Sequence, residues 1–255
     1  MYLPVEPQLS CPSAWLAAVK EVDKQSGHEA HNVIIDVVNP ARDLTRQHPI
    51  VAAVDDFLRA RDKSVLTVAN TIFPSTVYER YGMPEFFKVF DERVLPKVRK
   101  RNPRWSGYYF ERMTNYPARS GKPINQLRGI VDRIKNNNPA NNKYELAVFD
   151  PERDMDLSPY GGQCLSMLSF KLLPTSRRLA LTAMYRNHYY IEKLLGNLIG
   201  LGRLMEFVAK EGGVALGPLT VISTHAEIDQ PAASRSDVLA LIKRCEEAIG
   251  MKKIA

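Results

Sequence analysis

Tryptophan and cysteine are scarce in this chain of 255 residues, with two of the first and three of the second. Cys11, Cys164 and Cys245 are far apart, odd in number and outside any CxxC spacing. That argues against a disulfide framework or a zinc site, and for reduced thiols in a cytoplasmic setting. No apolar run approaches the ~18–20 residues of a membrane span. The opening "MYLPVEPQLSCPSAWLAAV" has no basic stretch leading into an apolar core, so no secretion signal is read there. Repeats, low-complexity segments and linkers are also missing, and one domain over residues 1–255 is the simplest organisation. The hydrophobic share of 45% and charged share of 25% are those of a globular protein and exclude a disordered one.

Charge is present in excess of one sign. The formal net charge of +7 suits nucleic acid, or equally a small anionic substrate such as a phosphate ester. The densest basic run, "PKVRKRNPR", holds Lys97, Arg99, Lys100, Arg101 and Arg104. Such runs are mostly solvated faces. No basic stripe with interleaved aromatics occurs elsewhere, so direct nucleic-acid readout is not favoured.

Strand and helix patterns alternate with short connections. "HNVIIDVVNP" reads as a buried strand and "SVLTVANTIF" as a second one closed by Pro74. "MPEFFKVFDERVLPKVRK" reads as a helix interrupted by Pro96. "INQLRGIVDRIKNNNP" is a clearer helix, with Ile124, Leu127, Ile130, Val131 and Ile134 on one face. "YELAVFDP", "CLSMLSFKLL" and "LALTAMYR" follow as three neighbouring antiparallel strands. "YYIEKLLGNLIGLGRLMEFVAKEGG" is a long helix, apolar on most sides, stopped by Gly212 and Gly213. Its glycines at 196, 200 and 202 lower helix propensity. They make sense if the helix packs closely on a sheet or leaves room for a ligand. "GPLTVISTHAEID" adds a strand, and "SDVLALIKRCEEAIG" a last helix with Ser236 as its expected N-cap. The fold class is therefore α/β in the α+β sense: a mostly antiparallel or mixed sheet packed with helices, one of them long, central and apolar.

Polar residues that break these apolar patterns carry the functional reading. Cys164 opens a strand, Arg186 and Asn187 stand between a strand and the long helix, Asn197 interrupts that helix, and His225 ends a strand. Each has a structural reading too. Cys164 is a core filler in that reading, Asn197 caps a neighbour's backbone, Arg186 pairs with a surface carboxylate, and His225 is a satisfied core histidine.

Their order is more specific than any one of them. A helix ending "IKNNNP", a strand ending "FDP", a loop to Cys164, a strand pair, Tyr185-Arg186-Asn187, an asparagine eleven residues past that arginine, and a strand ending "THAE" form one ordered set. The set resembles the thymidylate synthase superfamily, which includes the pyrimidine-nucleotide hydroxymethylases, over roughly residues 107–228. The resemblance implies that Cys164 is the nucleophile and that Tyr185-Arg186-Asn187 stands where the family binds phosphate. It implies that Asn197 pairs with the pyrimidine edge and that His225 and Glu227 hold the sugar hydroxyl. Asn142 and Lys143 stand where the family's paired arginines reach across a homodimer to the partner's phosphate. The implied substrate is a pyrimidine nucleoside monophosphate, the implied donor 5,10-methylenetetrahydrofolate, and no metal is required.

Departures accompany the match. Leu165 stands where the synthases have histidine, Tyr189 where the family has aspartate, and Asn142 and Lys143 replace two arginines. A tryptophan-rich folate wall is not visible, since only Trp15 and Trp105 exist, and the closing C-terminal tail is at best echoed by "GMKKIA". The chemistry explains the residue types. A thiolate adding at C6 turns C5 of the ring into a carbon nucleophile able to attack a one-carbon donor. A guanidinium at Arg186 is expected to favour that thiolate near neutral pH. The Asn197 amide offers donor and acceptor together, which matches O4 and N3–H of uracil. A C5 methyl- or hydroxymethyltransferase of uridylate type is the reading preferred, with a catalytically silent nucleotide-binding relative as the alternative and a nucleic-acid partner third.

Overall fold

A computed structural model describes residues 2–99, 108–155 and 162–252. The elements are β1 (Leu3–Pro4), α1 (Cys11–Asp23), β2 (Glu29–Val37), α2 (Pro49–Arg59), α3 (Val65–Ile72) and α4 (Ser75–Tyr81). Next, α5 (Glu85–Val89) runs through a π-helical stretch (Phe90–Val94) into α6 (Leu95–Arg99). Then come α7 (Tyr109–Thr114), α8 (Gln126–Lys135), β3 (Glu145–Ala147), α9 (Pro151–Asp154), β4 (Leu165–Leu172), β5 (Leu179–Tyr185) and β6 (His188–Tyr189). A second π-helical stretch (Tyr190–Leu194) leads into α10 (Leu195–Gly212), followed by β7 (Leu216–Glu227) and α11 (Arg235–Lys252). Trp105, the basic residues 100, 101 and 104, the turn at 159–161 and the last three residues of "GMKKIA" lie outside the described residues.

The seven strands form one mixed sheet in the order β1-β2-β7-β5-β4-β3, with β6 against β7. β3, β4 and β5 are antiparallel neighbours, as their sequence spacing implies. β5 and β7 are parallel, so α10 is the crossover between them and lies on one face of the sheet. That face is apolar and closed: Val33, Ile35, Leu181, Ala183, Leu219, Val221 and Leu168 are buried on it. The opposite face is half-buried and carries a row across four strands, Ile34–Ile222–Met184–Met167. Beside it runs a polar row, Asp36–Thr220–Thr182–Ser169.

Residues 65–72 are a helix and not the expected strand. β-Branched content suggested a strand, but the buried residues are Val65, Val68, Ala69 and Ile72, which follow helical spacing. Ser64 caps the helix by accepting from the Thr67 amide at 3.0 Å. The last helix is capped by Ser234, not Ser236: Asp237 N–H donates to Ser234 Oγ, and Ser234 N–H to the Asp237 carboxylate.

The α10 glycines neither face the sheet nor open space for a ligand. A Cβ on Gly196 would sit 2.8 Å from the Val65 carbonyl oxygen, and one on Gly200 2.8 Å from that of Ala69. At Gly202 it would sit 2.1 Å from the Pro40 carbonyl oxygen. Backbone carbonyls obstruct all three positions, joined at Gly196 by the Val68 Cβ at 2.5 Å and at Gly200 by the Ile72 Cβ at 2.9 Å, so α3 and the Pro40 loop press directly on α10. The C-terminal stop is Gly213 in the left-handed region, at φ 69°.

These contacts predict opposite signs for two glycine-to-alanine changes in helices. Gly129→Ala in α8 adds a Cβ into open space and should stabilise by about 0.5–1 kcal/mol through helix propensity. Gly202→Ala gains the same propensity but meets the Pro40 carbonyl, and should lose roughly 1–3 kcal/mol net. Urea-unfolding midpoints of both variants at unchanged m-value check this.

Candidate functional site

The site forms where β4 begins, β5 ends and the chain turns through β6 into α10. Arg186 N–H donates to the Cys164 carbonyl at 2.9 Å, which fixes the two residues side by side across the strand pair. The Arg186 Nε donates to the Gln163 carbonyl at 3.0 Å. Its guanidinium passes Gly162, where a Cβ would lie 3.1 Å from Arg186 Nη2 and 3.2 Å from the Asp154 carbonyl oxygen. Gly162 has φ +69°, so both conformation and space call for glycine there. The buried Arg112 anchors the approach to this turn, with Nη2 donating to Asp154 Oδ1 at 3.0 Å.

Of the three cysteines, only Cys164 is partly exposed. Cys11 is fully buried, its thiol directed at the carbonyls of Pro40 and Leu198, and Cys245 is buried too. Burial pushes the Cys164 thiol above its ordinary range, while Arg186 and then Lys193 pull it down. Burial wins, so Arg186 alone does not deliver the expected thiolate near neutral pH. Tyrosines complete the surround. Burial raises Tyr109, and the nearby Cys164 adds to that effect; the backbone amides of Leu165 and Cys164 approach its oxygen. The Tyr109 ring meets that of Tyr185 edge-on at 6.4 Å.

Tyr185 leads to a buried polar chain. Its ring stacks on His188 at 4.0 Å and 13°. His188 Nδ1 lies 3.0 Å from Ser223 Oγ, and its Nε2 lies 2.9 Å from Asn197 Nδ2. The Tyr190 hydroxyl donates to Ser223 Oγ at 3.2 Å. Burial pushes the His188 pKa down to about 3, so the ring is neutral. Two polar atoms here are buried without a partner: the Tyr185 hydroxyl and Asn197 Oδ1. Asp229 holds the start of the helical segment in place, accepting from Ile191 N–H at 2.8 Å.

A half-buried polar edge adjoins this core. His225 Nδ1 lies 2.5 Å from Asn187 Oδ1, and its Nε2 lies 3.2 Å from Glu29 Oε2. Tyr189 and Glu227 are paired positions of β6 and β7. Burial, then Glu227, raises the Tyr189 phenol, and Asn187 lowers it. Cys164, Arg186, Asn187, His225, Glu227 and Asn197 therefore share one end of the sheet. Asn142 and Lys143 do not. They lie exposed in a short turn whose neighbour Asn141 bonds both backbone groups of Leu172. That is the far end of β4, about 25 Å of strand from Cys164.

Sequence reasoning missed Tyr109, His188, Glu29 and Lys193. His188 sits between two residues that were singled out, but its partner Asn197 and its partner Ser223 lie on other elements, so no linear spacing links them. A cavity of about 740 Å³ lies elsewhere, between the loop at 41–48, α4 and the second half of α10. Among the described residues no three His, Cys, Asp or Glu side chains converge on a metal position, and no helix is long and apolar enough to cross a membrane.

No protein-family model matches the chain. Archaeal proteins named "putative thymidylate synthase" do. The one from Methanocaldococcus jannaschii is 30% identical over 175 residues, 64% of this chain and 76% of the relative. The one from Methanopyrus kandleri is 31% identical over 153 residues, 57% of this chain and 70% of the relative. This chain belongs to their thymidylate synthase-like family. The relative from Methanothermobacter thermautotrophicus is 26% identical over 212 residues, 82% of each chain, so the likeness extends well beyond the site segment.

The balance at the thiol predicts a pH profile for this family member. Below its pKa the alkylation rate of Cys164 follows the thiolate fraction. Arg186→Gln removes the larger of the two lowering influences, so the profile should move to higher pH and the rate at pH 8 should fall. Iodoacetamide labelling followed by peptide mass spectrometry checks both, with Cys11 and Cys245 expected to stay unlabelled in the folded protein.

Proposed function

We propose that this protein is a one-carbon transferase that acts at C5 of a pyrimidine nucleoside monophosphate, of uridylate type. The observation that carries the reading is the pairing of a partly exposed cysteine with two orphaned buried polar atoms, Tyr185 Oη and Asn197 Oδ1, on either side of His188. An unpaired buried polar group costs about 1–3 kcal/mol, and a ligand edge that pairs with it removes the cost. In this reading the Cys164 thiolate adds to C6 and moves the C5–C6 double-bond electron pair to C5, where a proton or a one-carbon unit would be taken up. Loss of the original C5 proton re-forms the double bond and returns the C6–S electron pair to Cys164. Arg186 and Lys193 favour the thiolate, and Arg186 with Asn187 faces the phosphate. His225 and Glu227 face the sugar.

A folate donor, 5,10-methylenetetrahydrofolate, follows from the family, and one cavity is of a size for its ring end only. A cavity of about 220 Å³ lies between α3, α4, the first π-helical stretch and Tyr108. Thr67 and Asn70 supply its polar side, and Asn70 Oδ1 is buried without a partner, an acceptor for a ring N–H. Tyr108 adjoins Tyr109, whose oxygen reaches the Cys164 backbone. When bound, the folate supplies the one-carbon unit.

A silent nucleotide-binding role is the second reading, and the raised Cys164 thiol favours it. Release of tritium from 5-³H-labelled UMP, dUMP, CMP and dCMP separates the two, because exchange at C5 needs thiolate addition even when transfer fails. Exchange with one uracil nucleotide, abolished by Cys164→Ala, is the expected outcome. In the same assay a 5-fluorinated analogue plus folate should leave a covalent complex on Cys164, since fluorine cannot leave as a proton. Nucleotide binding with no exchange in any of the four would establish the silent reading.

The homodimer belongs to this proposal as well. The row Ile34–Ile222–Met184–Met167 is an apolar stripe, flanked by the polar row, on the sheet face opposite α10, with no helix over it among the described residues. Covering it with a second copy would also bring the partner's Lys143 a route to the phosphate that its own chain lacks. Sedimentation should show a dimer at micromolar concentration, and Ile222→Arg should yield a folded monomer.

A further inference from the structure

We infer that His188 decides which pyrimidine the site accepts, by fixing which way the Asn197 amide faces. The inference rests on the proposed role of Asn197 at the base edge. It adds a positioning residue that the family resemblance does not assign to this place in the chain.

The hydrogen-bond order follows from one contact. Asn197 places its Nδ2, a donor only, 2.9 Å from His188 Nε2. Two N–H groups cannot bond each other, so Nε2 must accept, and a neutral imidazole then carries its proton on Nδ1. That N–H donates to Ser223 Oγ at 3.0 Å, which also accepts from the Tyr190 hydroxyl at 3.2 Å. The ring cannot turn over freely, being stacked on Tyr185 at 4.0 Å and met edge-on by Tyr190 at 5.5 Å. One Nδ2 hydrogen is thus committed to His188. The second Nδ2 hydrogen and the partnerless Oδ1 are left for a ligand.

This leftover pair matches uracil. N3–H donates to Oδ1, and O4 accepts from Nδ2. Cytosine offers the reverse, an acceptor at N3 and an amino donor at C4. To pair with it the amide must turn over, which sets Oδ1 against Nε2. In this tautomer both atoms hold lone pairs, and the contact becomes repulsive. Acceptance of cytosine needs the proton moved from Nδ1 to Nε2 and the Ser223 hydroxyl reversed. Left alone, an asparagine rotates and serves either base; held by His188, it serves one.

Two measurements test this. Nitrogen NMR of the protein with ¹⁵N-labelled histidine reads which His188 nitrogen carries the proton: Nδ1 is expected, and a protonated Nε2 would overturn the inference. Calorimetry of UMP, dUMP, CMP and dCMP reads the selectivity. The wild type should favour the uracil member of the bound pair by roughly tenfold or more, the scale of one buried polar mismatch. His188→Phe keeps the stack on Tyr185 but offers no lone pair, and should bring that ratio close to one. An unchanged ratio in folded His188→Phe overturns the role of His188 and leaves the base site standing. Failure of the wild type to bind any of the four nucleotides removes the base site and the inference together. His188→Gln covers the case in which phenylalanine does not fold. Its amide turns with that of Asn197, so it should bind both bases at a ratio near one, and retention of the wild-type ratio overturns the inference.

Discussion

Direct contact between the backbone of α10 and its neighbours is the constraint from which the rest follows. At Gly196, Gly200 and Gly202 no side chain fits between the helix and the carbonyls of Val65, Ala69 and Pro40. A helix held so closely cannot rotate about its axis or slide along it without collision, because packed interiors leave no slack. Its other side rests on β5 and β7, the strands it connects. Asp229, two residues past β7, accepts from the amides of Ile191 and Glu192 near the start of the helical segment. Asn197, one residue past Gly196, is therefore delivered to a fixed point beside β6. The glycines that look like weaknesses in the helix are what place its one buried amide.

Within the site, burial governs charge. His188 is held neutral and the tyrosines around Cys164 are held protonated by the same exclusion of water. Cys164 feels it as well, and two cations do not reverse it. Such a place has a low effective dielectric, in which each hydrogen bond to a ligand edge counts for more and each unpaired atom costs more. The polar edge at Asn187, His225 and Glu29 is half-exposed and outside this dry core. Cys164 and the Asn197 amide thus stand in the dry part, and Asn187, His225 and Glu29 on the wetter rim.

Much of this was legible in the chain. The strands at 29–37, 165–172, 179–185 and 216–227 and the long helix stand where alternation, β-branched runs and the glycine stop put them. The order of Cys164, Arg186, Asn197 and His225 pointed to one site, and the fold brings them to one end of the sheet. Residues 65–72 were misread because residue type was weighed above spacing; their buried positions are helical. Ser234 and Ser236 both suit an N-cap, and only the reciprocal bond with Asp237 distinguishes them. The role of the α10 glycines depended on α3, which the strand reading had removed. Glu29 and His188 act through cross-strand and strand-to-helix neighbours, and a single sequence carries no signal for such pairs.

The departures from the family pattern are connected rather than scattered. The resemblance puts a histidine directly after the nucleophile, where this chain has Leu165. Leu165 is fully buried in the core and paired across the sheet with Tyr185. An imidazole there would need a polar partner in an apolar layer. Tyr185 in turn carries His188 on its ring, and His188 reaches Asn197. In this chain the imidazole thus stands beside the amide and not beside the cysteine, with Tyr185 between the two positions. Leu165 leaves its layer dry, while His188 gives the buried asparagine a partner that two further hydroxyls, Ser223 and Tyr190, keep in register. Leu165 and His188 are tied through Tyr185 into one polar core with an apolar layer beside it, so a change at either alters the surroundings of the other.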